Sequence, residues 1–186
     1  MLDGINKYLR PHAPWEFVDI GCAGGIMLFM ARAYGGAALA NGIEIKCEGQ
    51  QHIFSHALEV LGYNNPYTVS AEFGRSLAAC AKLPTLQQVA ASMQTAVYMF
   101  SDGWSEDDRQ DAFQKAGQDP KVRVFTCCGG KAAGDRYATW ESVLKCLNEA
   151  AIASSTGLIF HYQETVHIAM YGSGQQKSMF VFSRHS

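Results

Sequence analysis

The stretch FVDIGCAGGI, residues 17 to 26, constrains the fold of this chain more than any other feature of its sequence. An apolar run that carries one acid, Asp19, ends in glycines and other small residues, and a helical pattern rich in Ala, Met and Leu follows. Small residues allow the backbone to turn tightly and to approach a ligand closely. The stretch therefore predicts a buried strand, a turn that faces a ligand, and a helix, which together form a βα unit.

The same alternation continues along the chain and ends in a hairpin. Apolar periodicity and turn residues predict strands at 16–21, 40–45, 67–74, 95–104, 121–128, 157–170 and 177–183, and helices at 24–34, 49–61, near 86–92, 106–117 and 139–153. In the second helix, we expect one apolar face, formed by Ile53, Ala57, Leu58 and Leu61. The order predicts a single α/β domain, residues 1–186. Its architecture is a three-layer α/β/α sandwich on a mostly parallel seven-strand sheet with a C-terminal antiparallel β-hairpin.

Composition excludes several classes of protein. The formal net charge of −2 argues against a nucleic-acid binder that relies on a strongly basic face, although a local basic patch is compatible with it. No apolar run reaches the ~20 residues of a transmembrane helix, and the first residues lack the apolar core of a signal peptide. The six cysteines form no CxxC pair. We therefore expect a reduced intracellular protein, in the cytoplasm or nucleus and not secreted, with no metal site and no membrane partner.

Two acids at strand ends indicate the chemistry of the ligand. Asp19 would repel a phosphate and would suit a positively charged group such as an amine or a sulfonium. Glu44, in NGIEI, ends the second strand, where a carboxylate can accept hydrogen bonds from both hydroxyls of a ribose. The dinucleotide pattern GxGxxG is poorly matched, because Ala23 and Ile26 occupy its second and third glycine positions. The pattern thus favours a ribose-bearing cofactor that carries positive charge.

EFVDIGCAGG followed by NGIEI resembles the cofactor-binding motifs of class I, seven-strand S-adenosylmethionine-dependent methyltransferases. Gly21, Ala23 and Gly25 fall where that family has G-x-G-x-G, with Ala23 as a departure. The resemblance covers nearly the whole chain and implies S-adenosyl-L-methionine as the cofactor. The cofactor-binding residues that it implies are Asp19, Gly21, Cys22, Ala23, Gly25, Glu44, Ile45, Glu72 and Phe73.

Each of these residues has an expected role. Asp19 and the 21–25 turn would hold the methionine part, and Glu44 would bind the ribose. The stretch SAEF, residues 70 to 73, would border the adenine. Glu72 or a backbone amide would read the adenine edge, and Phe73 or Ile45 would lie against its face.

The stretch FSDGW, residues 100 to 104, lies where the same family places the residues that face the methyl group. Methyl transfer requires alignment of the acceptor and exclusion of water rather than a protein nucleophile. The expected catalytic residues are Asp102, which would accept a proton or hydrogen bond from the acceptor, Ser101, which would orient it, and Trp104, which would wall the site. The structural alternatives are a turn residue for Asp102 and a core anchor for Trp104.

Within the class, the sequence is most similar to the non-SET, seven-strand histone-lysine methyltransferase type. That similarity implies a protein substrate, with histones as one candidate, and methyl transfer to a lysine-type nitrogen. A lysine amine has a reference pKa of ~10.4 and must lose a proton before it attacks. Only about fifteen residues precede the first strand, whereas that type has a substantial N-terminal region. This difference leaves open a trimmed domain, a partner subunit that completes the active site, or another substrate.

Three alternatives remain at the level of sequence. An RNA ribose 2′-O-methyltransferase would use a Lys, Asp, Lys, Glu set, for which Lys7, Asp102, Lys131 and Glu164 occur in the right order. A catalytically degenerate methyltransferase fold would act as a binding subunit. A dinucleotide oxidoreductase is the weakest alternative, because it requires the GxGxxG pattern that is not met.

Overall fold

The structure, a computed structural model, describes residues 1–45, 47–63, 65, 68–74, 93–101, 104–129, 134–155, 157–169 and 176–184. These residues form seven strands and five helices. The strands are β1 (Trp15–Ile20), β2 (Leu39–Ile45), β3 (Val69–Gly74), β4 (Gln94–Met99), β5 (Val122–Cys128), β6 (His161–Ala169) and β7 (Gln176–Ser183). The helices are α1 (Leu2–Asn6), α2 (Ile26–Ala33), α3 (Glu48–Val60), α4 (Glu106–Gln118) and α5 (Trp140–Ala153). The helix expected near 86–92 lies outside the described residues.

The strands form one sheet in the order β3-β2-β1-β4-β5-β7-β6. The first five strands in the chain pair in parallel, and β7 pairs antiparallel with both β5 and β6. The predicted α/β class, with a mostly parallel seven-strand sheet and a C-terminal antiparallel hairpin, is confirmed. All residues of β1 and β4 are buried, as expected for central strands that are covered on both faces.

The core consists of two apolar clusters, one on each face of the sheet. On one face, Val18, Ile20 and Ile43 pack with residues of α4 and α5. On the other face, Phe17 packs with residues of α1, α2 and α3, including Phe54. Neighbouring residues of a strand point to opposite faces, so each strand residue can be assigned to one of these two layers.

Helix α3 buries a different face from the one that its sequence indicates. Phe54 is its fully buried residue, whereas Ile53 and Leu61 are 54% and 55% exposed. Ala57 and Leu58 are partly buried beside Phe54. The rings of Phe54 and Phe29 of α2 stack at 5.6 Å, and this aromatic contact fixes the rotation of the helix.

Two further differences concern a helix that the sequence does not predict and the residue at which a strand begins. Helix α1 is absent from the sequence-based expectation, because five residues with one buried side chain, Ile5, carry too little periodicity. Strand β6 begins at His161 rather than at 157. The amide of Asn148 pairs with both backbone groups of Phe160, at 2.7 and 3.0 Å, so Phe160 bonds to α5 instead of to a neighbouring strand. None of the helices among the described residues is long and apolar enough to cross a bilayer.

Candidate functional site

Asp19 and Glu44 project from the same face of the sheet, at the carboxyl ends of adjacent strands. Asp19 lies opposite Gly42 in the β1–β2 register, and Glu44 follows Gly42 by two residues. Residues two apart in a strand point to the same side. In an open parallel sheet, the crevice beyond the carboxyl ends of the strands is where ligands bind. The predicted pair of acids is therefore brought together at a ligand-binding edge.

Asp19 is held in an environment that disfavours its charge. Asp19 is 3% exposed, and its Oδ1 atom is buried without a hydrogen-bond partner among the described residues. Burial, and secondly the nearby charge of Glu44, raise the pKa of Asp19 to about 8. A buried carboxyl with an unpaired oxygen lowers the stability of the fold unless a hydrogen-bond donor or a cation binds that oxygen. This side chain can accept the hydrogen bonds of a ligand ammonium.

Glu44 holds the glycine turn in place. The backbone N–H of Ala23 donates to its Oε2 at 2.6 Å, and the N–H of Ile45 donates to its Oε1 at 2.8 Å. The carboxylate oxygens can accept more than one bond each, so these contacts leave acceptor capacity for ribose hydroxyls. Glu44 thus links the turn after β1 to the end of β2.

The turn between β1 and α2 uses the left-handed region at alternate positions. The φ angles are +85° at Gly21, +46° at Ala23 and +82° at Gly25. A Cβ at Gly25 would lie 2.5 Å from the ring of Phe54, and one at Gly21 would lie 2.7 Å from Trp104. The small residues are therefore required both by backbone conformation and by close packing.

Helix α2 begins at the end of this turn without a side-chain cap. Its N-cap residue is Gly25, which has no side chain to offer. The first N–H groups of a helix lack partners within the helix and attract negative charge. Because α2 follows β1, these N–H groups stand at the same end of the sheet as Asp19, where they can donate to an anionic group.

Cys22 faces the core and does not line the turn. It is buried, and a Cβ on Gly42 would lie 2.5 Å from its sulfur. Gly42 therefore allows Cys22 and Leu28 to pack against β2. If Cys22 contributes to a ligand site, it does so through its backbone.

The residues expected to border adenine divide between the two faces of the sheet. Phe73 pairs with Glu44 in register and packs on Phe54 with ring centroids 6.0 Å apart, as part of the core. Glu72 pairs with Ile43, so it projects with Ile45 from the opposite face. Ile45 is 47% exposed and Glu72 is exposed. Of the two apolar candidates, Ile45 offers a free surface.

The end of β4 brings a hydroxyl and an aromatic ring to the same edge. Ser101 is buried, and its hydroxyl lies 3.4 Å from the carbonyl oxygen of Cys128 and 3.3 Å from its sulfur. Trp104 packs against Gly21 and against the α4–α5 core, so it joins the turn after β1 to the end of β4. Asp102 lies outside the described residues.

The set expected for ribose 2′-O-methylation is only partly placed. Lys7 and Glu164 form an ion pair at 3.3 Å, on the β6 edge of the sheet. Lys7 also lines a cavity with Gln94 and Arg123, which stand at the starts of β4 and β5. Those strand starts are at the opposite end of the sheet from Ser101. Asp102 and Lys131 lie outside the described residues.

Tyr98 is a neighbour of the site that the sequence-based prediction omits. It lies opposite Asp19 in the β1–β4 register and stacks on Phe17 at 6.1 Å. Burial, and then the charge of Asp19, raise the pKa of Tyr98. The signal in the sequence is a single phenol in the apolar run AVYMF, residues 96 to 100.

The arrangement fits the cofactor that the sequence implies. The buried Oδ1 of Asp19 lacks a hydrogen-bond donor among the described residues, and Glu44 ends the adjacent strand. These features match an ammonium and a ribose. The same set offers no cation to a pyrophosphate, so it does not suit a dinucleotide.

Comparison with known proteins finds similarity in structure rather than in sequence. No protein-family model matches the chain, and no curated protein matches it significantly. Among solved structures, Sp1610 of Streptococcus pneumoniae, a candidate tRNA (m1A22) methyltransferase, aligns with a TM-score of 0.62 and 12% identity over 100% of this chain and 69% of that one.

Two further solved structures align over the whole chain. TrmK of M. capricolum in complex with S-adenosyl-homocysteine gives a TM-score of 0.58 and 10% identity, and the alignment covers 68% of that protein. The m1A22 tRNA methyltransferase TrmK of B. subtilis gives a TM-score of 0.57 and 15% sequence identity, and the alignment covers 65% of that protein. The chain thus spans about two thirds of the length of these proteins. This chain has the fold that these methyltransferases share.

Proposed function

We propose that this protein is a methyltransferase that uses S-adenosyl-L-methionine. The observation on which the proposal rests is the buried carboxyl of Asp19, whose Oδ1 has no hydrogen-bond partner among the described residues, beside Glu44 at the carboxyl ends of β1 and β2. The fold supports it, since the similar structures include Sp1610 in complex with S-adenosyl-L-methionine. The cofactor supplies an activated methyl group on a sulfonium centre.

The residues of the chain bind and orient rather than form covalent bonds. Asp19 accepts hydrogen bonds from the amino group, and the N-terminus of α2 meets the carboxylate. Glu44 accepts hydrogen bonds from the ribose hydroxyls. It also holds the turn after β1 by accepting a hydrogen bond from the backbone N–H of Ala23. Ile45 gives the adenine an apolar surface. Glu72, on the same face of the sheet, borders its edge.

At the end of β4, Trp104 excludes water from the reacting groups and walls the acceptor site. It is positioned for this by its contact with Gly21. Ser101 is anchored on Cys128 and orients the acceptor or the turn that follows. The proposed role of Asp102, acceptance of a proton or hydrogen bond from the acceptor, rests on its place in the FSDGW motif.

We favour RNA as the methyl acceptor. The support is the similarity to proteins described as tRNA (m1A22) methyltransferases. The comparisons do not support the histone-lysine type that the sequence resembles. The ribose 2′-O alternative is less favoured than base methylation, because Lys7 and Glu164 pair away from the end of β4.

The test is a labelling experiment with tritiated S-adenosyl-L-methionine and three separate substrates: unmodified tRNA, histones or nucleosomes, and a mixture of other proteins. We expect label in the tRNA, and nucleoside analysis should place it on a base. The Asp19→Asn and Glu44→Gln variants should lose the activity. Lys145 is an exposed residue of α5, and Lys145→Gln serves as the control variant, which should retain the activity.

Label in protein alone would move the acceptor back to a lysine-type nitrogen. Label on the 2′-hydroxyl would favour the Lys, Asp, Lys, Glu set. Full activity in both acid variants would contradict the proposed cofactor site.

A further inference from the structure

Helices α2 and α3 leave apolar side chains uncovered on the outer side of the domain. In the described part of the chain, nine large apolar residues are exposed, and seven of them lie between residues 26 and 61. Single exposed apolar residues are ordinary on a protein surface, whereas a concentration of them marks a contact surface. Their concentration around these two helices therefore indicates a surface that another molecule covers.

Helix α2 is apolar on all sides. It buries Leu28 and Phe29 in the core, yet Ile26 and Met30, which are one turn apart, are 69% and 39% exposed on its outer side. Its one charged residue, Arg32, donates a hydrogen bond to a backbone carbonyl group. A helix that is apolar all round is normally buried on every side. The outer side of α2 thus has the composition of a buried surface.

Helix α3 extends this surface. Ile53 and Val60 are two turns apart on one side of α3, and both are more than half exposed. A Cβ on Gly24, two residues before α2, would lie 2.9 Å from Ile53, so this side of α3 borders the start of α2. The rings of Phe29 and Phe54 stack in the core and hold the two helices together. We call this surface the α2–α3 seam, and its residues are Ile26, Met30, Tyr34, Ile53 and Val60.

The seam has an uncharged centre and a polar rim. None of its five residues carries a charge. His52, His56 and Glu59 are exposed at positions one turn apart along α3, beside the stripe of Ile53 and Val60. In a two-fold interface, a central side chain meets its own copy or a close neighbour of it, so a charge there would face a like charge. A seam without charge is therefore compatible with its own copy, and a polar rim is typical of interfaces.

The exposed area of the seam is that of a stable interface. From the exposed fractions of its five side chains, the seam presents on the order of 600 Å² of apolar surface. A standard interface buries about 800 Å² on each partner, and a little more than half of that area is apolar. The seam is therefore large enough to supply the apolar part of such an interface, and the rim can supply the polar part.

We propose that two copies of this chain associate through the α2–α3 seam about a two-fold axis. The seam of each copy covers that of the other and removes its apolar surface from water, which is the main driving force of association between proteins. The inference does not depend on the proposed methyltransferase function, because none of the five seam residues is assigned to the cofactor or to the acceptor.

The test is sedimentation velocity and light scattering of the full chain over a range of concentrations. Wild-type protein should have twice the mass of one 20.3-kDa chain at micromolar concentrations and should dissociate on dilution. Met30→Glu in α2 and Ile53→Glu in α3 should each weaken the dimer at least about a hundredfold, because each places two like charges in the interface. Ile53→Val keeps the apolar surface and should associate nearly as wild type.

Ile152→Glu is the matched control. Ile152 of α5 is 69% exposed, as Ile26 is, but α5 packs on the other face of the sheet. This variant should remain dimeric. Circular dichroism and thermal unfolding would confirm that each variant is folded. Because Met30 and Ile53 lie on different helices, either seam variant alone tests the interface.

Wild-type protein that stays monomeric up to about 100 µM would overturn the proposal. Dimers that persist in both seam variants would also overturn it, as would equal dissociation by Ile152→Glu, which would show a general effect of charge. A monomeric wild type that cosediments with vesicles of phosphatidylcholine and phosphatidylserine, and loses this binding in Ile53→Glu, would assign the seam to a membrane surface instead of a second copy.

Discussion

Asp19 is the residue at which stability and ligand binding conflict. An apolar residue or an amide in its place would avoid the cost of burying a carboxyl. The chain has the acid at the end of a central strand, and no donor to Oδ1 is found among the residues that the structure describes. A buried, unpaired carboxyl at a strand end is typical of a binding residue rather than of a structural one.

The raised pKa of Asp19 predicts how stability changes with pH. The folded state holds the proton up to about pH 8, whereas the unfolded state releases it near the ordinary value of 3.8. The unfolded state therefore binds fewer protons in this range, and stability falls as pH rises from about 4 to 8. Asp19→Asn should remove this part of the decline. Thermal unfolding of both proteins at several pH values is the measurement, and parallel curves would contradict the prediction.

The glycine turn offers a second prediction, with a control in the same chain. Gly25 and Gly36 both have positive φ, +82° and +75°, but only Gly25 faces a neighbour that a Cβ would strike. Alanine at either position pays about 1–2 kcal/mol for its backbone conformation. Gly25→Ala should cost about 1–3 kcal/mol more, because Phe54 is locked against Phe29. Urea unfolding measures both, and equal losses would show that the Phe54 contact is unimportant.

Ala23 shows what a residue pattern reveals and what it omits. The sequence indicates that Ala23 replaces a glycine and that alanine is small enough. It does not indicate the backbone conformation, which at φ +46° is unfavourable for alanine. The N–H of Ala23 is held by Glu44, and this contact offsets part of the strain. That hydrogen bond joins residues far apart in the chain, so no local pattern could predict it.

At the level of elements, a buried ion pair fixes the segment before α5 to α4. Arg109 is 4% exposed, and its Nη2 donates to both carboxylate oxygens of Asp135 at 2.8 Å. Burial acts to raise the pKa of Asp135, but the hydrogen bonds from Arg109 and the N–H of Tyr137 lower it, and the net shift is downward. Sequence alone could not pair these residues, since 26 positions separate them.

Asp135→Asn should therefore destabilise the protein by about 3 kcal/mol at neutral pH, because it leaves Arg109 buried without its counter-charge. The wild-type pair should keep its contribution above the ordinary aspartate pKa and lose it only as pH falls below that range. The double variant Arg109→Met, Asp135→Asn should be more stable than the single one. Denaturant unfolding tests this, and a loss below about 0.5 kcal/mol in the single variant would contradict it.

Helix α3 marks the limit of periodicity as a predictor of elements. Ile53 and Phe54 are adjacent, so the apolar pattern is compatible with either of two rotations of the helix. The stacking of Phe54 on Phe29 selects one of them. The strands were easier to predict, because continuous apolar runs such as those of β1 and β4 have to be buried on both faces.

For the molecule as a whole, the alternation of strands and helices predicts the class of fold and its terminal hairpin. The strand order β3-β2-β1-β4-β5-β7-β6 is not contained in periodicity, because periodicity does not say which strands are neighbours. That order is what places Asp19 beside Gly42 and Tyr98, and so assembles the candidate site. The two acids and their turn carry no information about a methyl acceptor, so the motif that they form predicts a cofactor but not an acceptor.

The most direct test of the central claim is calorimetric titration of S-adenosyl-L-methionine into the protein at pH 6.5, in buffers of different ionisation enthalpy. We expect saturable binding and release of close to one proton, because Asp19 is protonated when free and pairs with the ligand ammonium when bound. Asp19→Asn and Glu44→Gln should bind much more weakly, and the aspartate variant should release no proton. Absence of binding in the wild type, or unchanged binding in both variants, would contradict the assignment of this edge of the sheet to the cofactor.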